Sequence, residues 1–598
     1  MNIFCSIWMG MLVVLSSSSS PATTLQEIIL EKYSNGDNPI IIPPGTYTET
    51  TTTVIENLTG SAGDPLVINC QGVYKNLNAE NGYKSALIMR DCSYVRLEGL
   101  RVDYTPLPLT QGRITDIDSG STTVEIHEGY PLPEIGGNWE GSSFNFVVNP
   151  LTRYIKADAR NLSFTNCTFV GGRKYCFSHQ ALDVDNRTTN DLMRVALIPL
   201  KAHGMQLIRC SYMDLYDVQV RTAPGFAILD KQGNSNRYED VKVNQGPAPA
   251  GAVEGRIFSS LRDGMHFSCC ETGPVVTNCT VAMTGDDGIT VHGFTAAVVS
   301  NVANSTTVYL KPSVLLYDRF GNGVNYVQGD SMLFYKADSE SRFGNRQVVS
   351  VTGPDANHIY TVTLNDTISL QSGDVADNLS RQGSGFEIVG STVRDTASRG
   401  IVVKSRLGKI GGESPGQGNL VAYTFLSGIH LLGTFNGDRG DITAGEGAFS
   451  RNIYIGNNTI KHSNLGNTSV DWYCGAINVS NQGADSWGAN GHKIITIESN
   501  KIYNATAVNI QIAFCNDVDV VGNEFYTPFQ YAGYTVGDGG VRSVNNHSLV
   551  FLDRVDDVYL NNNSVYDPPA STYDFCDFNS NTVSNISPAD PDGAFELK

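Results

Sequence analysis

The chain has 598 residues and a formal net charge of −19. That charge argues against nucleic acid as a partner and, more mildly, against a polyanionic substrate such as pectate. Charged residues make up only 17% of the sequence and 60 residues are glycine, which suits a β-rich protein with many turns.

The first segment, Met1 to Ser20, is apolar and then Ser-rich. It is too short to span a membrane comfortably, so residues 1–20 are expected to be a cleaved signal peptide, although no Lys or Arg precedes the apolar run. No later apolar run is long enough for a transmembrane helix, so a secreted, extracellular protein with no membrane partner is expected. Asn-x-Ser/Thr sequons are frequent, Asn57, Asn278, Asn457, Asn478 and Asn562 among them. They have two readings: glycosylation in a eukaryotic secretory pathway, or chance matches at asparagine-rich turns. Twelve cysteines are present and Cys5 would leave with the leader, so at least one of the rest stays unpaired. Cys70 and Cys92 are read either as a bridge between neighbouring laps or as buried thiols, and the adjacent Cys269 and Cys270 as strand residues facing opposite ways.

Beyond the leader, short period-2 apolar segments recur. Pro39 to Thr50, Pro65 to Gln71 and Ser85 to Tyr104 look like the opening laps of a pectin-lyase-like helix. Loose copies of the same pattern follow at Leu162 to Phe169, Met205 to Met213, Val275 to Val281, Ile453 to Ile460, Ile495 to Ile502, Val518 to Phe525 and Val558 to Val565. Asn500 and Asn523 are 23 residues apart, about one lap. Two stretches break the rhythm with longer alternating strands, at 111–200 and 295–385. The expected fold is all-β: a right-handed parallel β-helix with two inserted antiparallel β-barrel-like modules. Its parts would be N-terminal laps at 24–110, the first module at 111–200, laps carrying the site at 201–294, the second module at 295–385, and C-terminal laps with a tail at 386–598. Both inserts leave the helix close to the site, so both are expected to lean over it.

The site itself is expected between Leu261 and Gly293. There DGMHF (Asp263 to Phe267) lines up with DGITV (Asp287 to Val291) at an offset of 24 residues. In a parallel solenoid this stacks Asp263 on Asp287 at about the 4.8 Å spacing of paired strands, and Asp286 adds a third carboxylate. The plain alternative is a turn, since Asp and Gly are common turn formers. Crowded carboxylates raise one another's proton affinity, which a fold does not need and glycoside hydrolysis does: one carboxyl protonates the leaving oxygen and another activates water. A bulge at Gly285-Asp286 would let both adjacent aspartates face a cleft. One of Asp286 and Asp287 is read as the acid, and Asp263 with the other as the base.

These motifs carry a resemblance. RVDYTPLPLTQGRI (Arg101 to Ile114), GRIFSSLRDGMHFSCC (Gly255 to Cys270), MTGDDGITVHG (Met283 to Gly293), SRGIVVKS (Ser398 to Ser405), and SGIHLLG with GAFSRNIYIGNNTI (Ser427 to Ile460) resemble glycoside hydrolase family 110, in the family's order. The resemblance implies an inverting exo-α-1,3-galactosidase with catalytic Asp263, Asp286 and Asp287, needing no metal or other cofactor, whose partner is a galactosylated glycan or oligosaccharide. Where the family tends to carry an aromatic-rich acidic segment, this chain has GTFNGDRGDITAGEGAF, without Trp.

Around the carboxylates, His266 and His292 are read as sugar-hydroxyl donors or as packing histidines. Arg399 and Lys404 are read as sugar ligands, as counter-charges, or as a solvated face, and His430 and Glu446 as contributions from the following lap. Two other readings are kept: another polysaccharide-active β-helix enzyme (a polygalacturonase-like hydrolase, lyase or epimerase), and a non-catalytic carbohydrate-binding β-helix. The sequence leaves oligomeric state open.

Overall fold

The computed structural model describes residues 23–598 except 81, 136–144, 158, 160, 181–185, 199–201, 313–325, 337–341, 435–444, 448, 467–474, 483–490, 530–547, 570–572 and 579. The apolar leader at 1–20 lies outside the described residues. No helix among the described residues is long and apolar enough to cross a membrane.

The architecture is a parallel β-helix. Among the described residues, one sheet holds 13 parallel strands and a second holds 23. The larger sheet is two ladders that merge where Ile510–Val521 and Ser548–Asn561 run round a corner as continuous strands. Phe514 (φ 57°) and Arg554 (φ 52°) take the left-handed conformation at that corner. Inward side chains of all three ladders form a single core running from Leu25 to Ala594, as expected when each lap can bury its apolar face only against its neighbours.

One corner is held by an asparagine ladder. Asn419 donates its Nδ2 proton to Asn458 Oδ1 at 2.9 Å, Asn458 to Asn500 at 3.0 Å, Asn500 to Asn523 at 3.1 Å, and Asn523 to Asn563 at 3.2 Å. Each acceptor also takes a backbone N–H from the lap before it, so these buried amides satisfy a corner that forms no sheet. The sequon asparagines Asn57, Asn278, Asn457 and Asn562 sit in left-handed turn conformations, and Asn478 is fully buried.

Four expectations need correction, and the reading left open at Cys70 and Cys92 is decided; one of the four is Leu162 to Phe169, which is no solenoid lap but runs into the antiparallel strand Phe164–Gly171 of the first insert. The N-terminal segment does not start as a β-lap: Leu25–Ser34 is an α-helix, closed by a Thr24–Glu27 capping box, that buries Leu25 and Ile29 over the end of the core. It covers the open end of the solenoid, where backbone groups and apolar side chains would otherwise meet water. The two inserts are unlike each other. Strands between Thr295 and Asn378 close a six-stranded barrel, whereas strands between Leu109 and Ala196 form an open six-stranded sheet. An antiparallel bridge from Asn145 to Leu162 curls that sheet towards closure. Cys70 and Cys92 are free, buried thiols: they follow strands of different ladders, Leu66–Asn69 and Leu87–Arg90, so one lap does not stack them. Cys269 is a left-handed corner residue (φ 57°) just past the strand Met265–Ser268, rather than part of it.

Both inserts pack beside the predicted site. The open sheet shares a core with Leu261, Met283, Ala397 and Phe425, one residue from each of four successive helix laps. The barrel places Leu333, Tyr335, Val375 and Leu379 against Phe449, Ala513 and Phe514.

Candidate active site

The site grows out of one ladder. Met265–Ser268 pairs in parallel with Ile289–His292, in the register Met265 to Ile289 and His266 to Thr290, and Ile289–His292 pairs onward with Ile401–Lys404. Met265, Phe267, Ile289, Val291, Ile401 and Val403 point into the core; by alternation, His266, Ser268, Thr290, His292 and Lys404 stand on the outer face.

Just before each strand the laps pinch together at a glycine. A Cβ on Gly264 would lie 2.2 Å from Val281 Cγ1 and 2.7 Å from the Gly288 carbonyl, and one on Gly288 would lie 2.5 Å from the Gly400 carbonyl. The residues preceding these glycines, Asp263, Asp287 and Arg399, therefore stack at the mouth of the face. Asp286 reaches the same spot from the bend that precedes its strand, with no bulge in a ladder.

One carboxylate oxygen from each of Asp263, Asp286 and Asp287 can be chosen so that all three lie within 4.8 Å of one another. Their surroundings differ. Asp287 accepts the Arg399 backbone N–H at 2.9 Å, and the Arg399 guanidinium lies 3.4 Å away. Asp286 is 3.5 Å from Arg262 Nη1 and is the most open, with a side chain 21% exposed. The Asp263 side chain is 6% exposed; its Oδ2 is 2.7 Å from His266 Nδ1 and accepts the Thr290 hydroxyl at 2.9 Å. Burial, and then the neighbouring aspartates, push the carboxyls of Asp263 and Asp286 well above the usual carboxylate range.

The histidines are wired to the carboxylates. His292 Nε2 is 2.9 Å from His266 Nε2, and His292 Nδ1 is 2.7 Å from the Gly293 carbonyl. Phe226 stacks on the His266 ring at 4.1 Å, and Phe294 meets His292 edge-on. Burial pushes His266 down to about 4 and His292 to about 3. Lys404 Nζ donates to Glu446 at 2.8 Å, and this ammonium holds the Glu446 carboxyl well below its ordinary range. His430 is placed further along the face; it is fully buried and 2.9 Å from the Ser480 hydroxyl. The structure thus gathers Asp263, Asp286, Asp287, His266, His292 and Arg399 directly. It sets the Lys404–Glu446 pair beside the histidines and gives His430 a hydrogen bond on the neighbouring lap.

Three participants escape the motif reading. Arg262 precedes Asp263 in sequence and only the fold turns it onto Asp286. Thr290 resembles any strand threonine. Arg194 comes from the open-sheet insert: it is completely buried and donates to the carbonyls of Ser260 and Leu261 at 3.2 Å. A Cβ on Gly285 would lie 2.5 Å from its Nη2, so Gly285 is what lets the arginine pack against the backbone beside Asp286.

Three clustered carboxylates are also a hard-cation donor set. Here guanidinium groups stand 3.4–3.5 Å from two of them, and Asp263 Oδ2 is engaged by His266 and Thr290. That arrangement balances negative charge with arginine and suits acid–base chemistry better than a cation cage.

Fold and site together define a parallel β-helix protein with a carboxylate cluster on a covered face. No protein-family profile matches the chain. Its curated relatives bear out the resemblance drawn from the sequence. Alpha-1,3-galactosidase B of Akkermansia muciniphila is 25% identical over 390 residues, covering 63% of this chain and 47% of that protein. Alpha-1,3-galactosidase A of Bacteroides fragilis is 21% identical over 291 residues, covering 45% of each. The chain spans about half the length of the curated relatives it matches. Among solved structures, endo-xylogalacturonan hydrolase from Aspergillus tubingensis overlays with a TM-score of 0.32 at 8% identity, covering 93% of this chain and 91% of the other. The Streptococcus pneumoniae surface adhesin PfbA overlays with a TM-score of 0.38 at 8% identity, covering 90% and 81%.

Proposed function

We propose that the protein is a secreted, exo-acting glycoside hydrolase that removes terminal α-linked galactose with inversion of configuration. The observation that carries the reading is the carboxylate cluster with its unequal surroundings. Asp287, fixed by the Arg399 N–H and faced by its guanidinium, is placed to act as base. Asp286, raised in proton affinity and open to the cleft, is set up to carry the proton to the glycosidic oxygen.

Inverting sites commonly separate acid and base carboxyls by about 6.5–9.5 Å and retaining sites by about 5–5.5 Å. The cluster here is tighter, with oxygens within 4.8 Å. Two oxygens near that limit can accept both protons of one water at hydrogen-bond lengths of about 2.8 Å. The spacing therefore does not carry the inversion; inversion rests on the resemblance to an inverting family, with a clamped water as the nucleophile of a single displacement. The covered face, walled by two inserts, supports exo attack on a chain end rather than passage of a long polymer.

Galactose as the sugar rests on the relatives named alpha-1,3-galactosidase. A screen of p-nitrophenyl glycosides and α-galactosyl oligosaccharides tests it. Release of galactose from α-1,3-linked termini is expected; turnover only of a uronate polymer, or of no glycoside, would overturn it.

A further inference from the structure

We infer that Cys92 and Cys210 close into a disulfide when the chain folds in an oxidising compartment, and that this bond staples together the laps on either side of the first insert. This rests on the secretion proposed above and on none of the sugar chemistry.

Strand register brings the two thiols together. Leu87–Arg90 and Met205–Ile208 are parallel neighbours, with Arg90 beside Ile208. Both chains then turn a corner through a left-handed residue, Asp91 (φ 53°) and Arg209 (φ 52°), and pair again at Ser93 and Ser211. Cys92 and Cys210 lie between these matched positions, so they are equivalent residues of successive laps. The Ser211 N–H donates to the Cys92 carbonyl at 3.0 Å. Such neighbours have Cα atoms about 4.8 Å apart, inside the roughly 4.4–6.8 Å that a disulfide spans. Both side chains point into the core, 1% and 0% exposed. Cys210 Sγ reaches back to the Met89 carbonyl of the Cys92 lap at 3.5 Å, and the two thiols hydrogen-bond each other. Both are free in the structure; closing the bond takes a side-chain rotation and about 1 Å of approach between the Cβ atoms.

Among the described residues no other cysteines are placed this way. Cys270 shares the column, but Gly233 separates it from Cys210: the Asn234 N–H donates to the Cys210 carbonyl and the Glu271 N–H to that of Gly233. In the first insert Cys167 stands opposite Phe177 and Cys176 opposite Thr168, so their side chains leave opposite faces of the sheet. Cys269 and Cys270 are consecutive, and of the two Cys270 alone joins the solenoid core.

The place of the bond gives it a role. Cys92 and Cys210 are 118 residues apart, and the open sheet, from Leu109–Asp118 to Leu192–Ala196, lies between them. A crosslink over so long a loop restricts the unfolded chain strongly. It also ties the point where the insert leaves the helix to the point where it returns, and this insert packs on Leu261 and Met283 beside the carboxylates.

The oxidant is a low-molecular-weight disulfide of the compartment. One cysteine thiolate attacks it, forming a mixed disulfide and releasing one small thiol. The second cysteine gives up its proton, attacks the first cysteine's sulfur and releases the other small thiol. Two protein thiols become one disulfide, and one small disulfide becomes two thiols. Neither sulfur is reachable once the lap is packed, so the exchange precedes packing and the finished bond is sheltered from reductant.

The test uses the full chain secreted through an oxidising eukaryotic pathway and purified without reductant. Free thiols are blocked with N-ethylmaleimide in denaturant, and the digest is mapped by mass spectrometry. The expected result is a linked peptide pair joining Cys92 to Cys210, two hydrogens lighter than the separate peptides. Blocked thiols at both positions, or either cysteine joined elsewhere, would overturn the proposal. No substrate is needed, so the map is decided whether or not the protein cleaves a galactoside. Reductant applied to the native protein should leave the pair linked, and reductant in denaturant should open it. Cys92→Ser should leave Cys210 blocked by the reagent and lower the Tm by about 2–8 °C, and Cys210→Ala repeats the measurement from the other side. Melts of both variants that match wild type would overturn the role as a staple.

Discussion

Two parts of one ladder share a backbone and differ in their outer side chains and in what lies above them. The strands Thr53–Glu56, Leu87–Arg90 and Met205–Ile208 alternate between buried and partly exposed positions, as a solvent-facing sheet should. Ile228–Lys231, Met265–Ser268, Ile289–His292 and Ile401–Lys404 continue the same ladder, yet every position is buried. The backbone is the same, and the outer polar side chains change from pairs such as Arg90 with Glu56 to His266, Ser268, Thr290, His292, Lys231 and Lys404. Covering a polar sheet face costs desolvation, and it is tolerated because the covered groups bond one another. The same desolvation raises the proton affinity of the aspartates at its edge, so cover and chemistry arise together.

Removing the chemistry from the covered part should have the largest effect. Asp286→Asn and Asp287→Asn should each lower kcat by about 10²–10⁴-fold, with thermal stability held or raised because carboxylate crowding is relieved. Retention of a tenth or more of wild-type kcat in either variant would separate the cluster from the reaction.

Removing the cover's anchor comes next. Arg194→Met should destabilise the protein by about 2–5 kcal/mol, since the Ser260 and Leu261 carbonyls lose a buried donor. It should also depress kcat, because the same arginine packs at Gly285 beside Asp286. Denaturant melts and initial rates check both effects; a melt matching wild type would mean that the insert is not keyed to the site.

The covered part should also carry a pH signature. Burial raises the Asp263 pKa, so above the unfolded value of about 4 the native state holds a proton that the unfolded state has lost. The stability contributed by that bound proton is complete below the unfolded pKa and declines as pH rises towards the native one. Asp263→Asn removes this dependence. Between pH 5 and 8 the variant's melting temperature should therefore fall less, or rise more, than that of wild type, and parallel curves would place Asp263 outside the buried network. The open part of the ladder is the control: Arg90→Ala should change stability by about 0–1 kcal/mol and leave kcat unmoved.

Much of this was legible in the sequence, and the exceptions have causes. The 24-residue offset between Asp263 and Asp287 is a property of one strand register, so periodicity recovers it directly. Breaks in that periodicity mark the inserts, but whether an insert closes into a barrel depends on pairing between its first and last strands, which local pattern does not encode. Thr24 and Glu27 carry a capping-box signal at the start of the helix Leu25–Ser34 that a search for solenoid laps passes over. Arg194 lies 66 residues before Ser260 and looks like any strand arginine until the fold buries it. The histidine chain was half visible: alternation places His266 and His292 on one face, but their bond to each other depends on side-chain geometry. The segment GTFNGDRGDITAGEGAF, where the chain departs from its resemblance, has residues 435–444 outside the described structure.

The central claim is a single displacement by a water held between the carboxylates. Proton NMR of the first sugar released from an α-1,3-linked galactoside, recorded before mutarotation, tests it most directly. The account predicts β-galactose; α-galactose as the first product would contradict it.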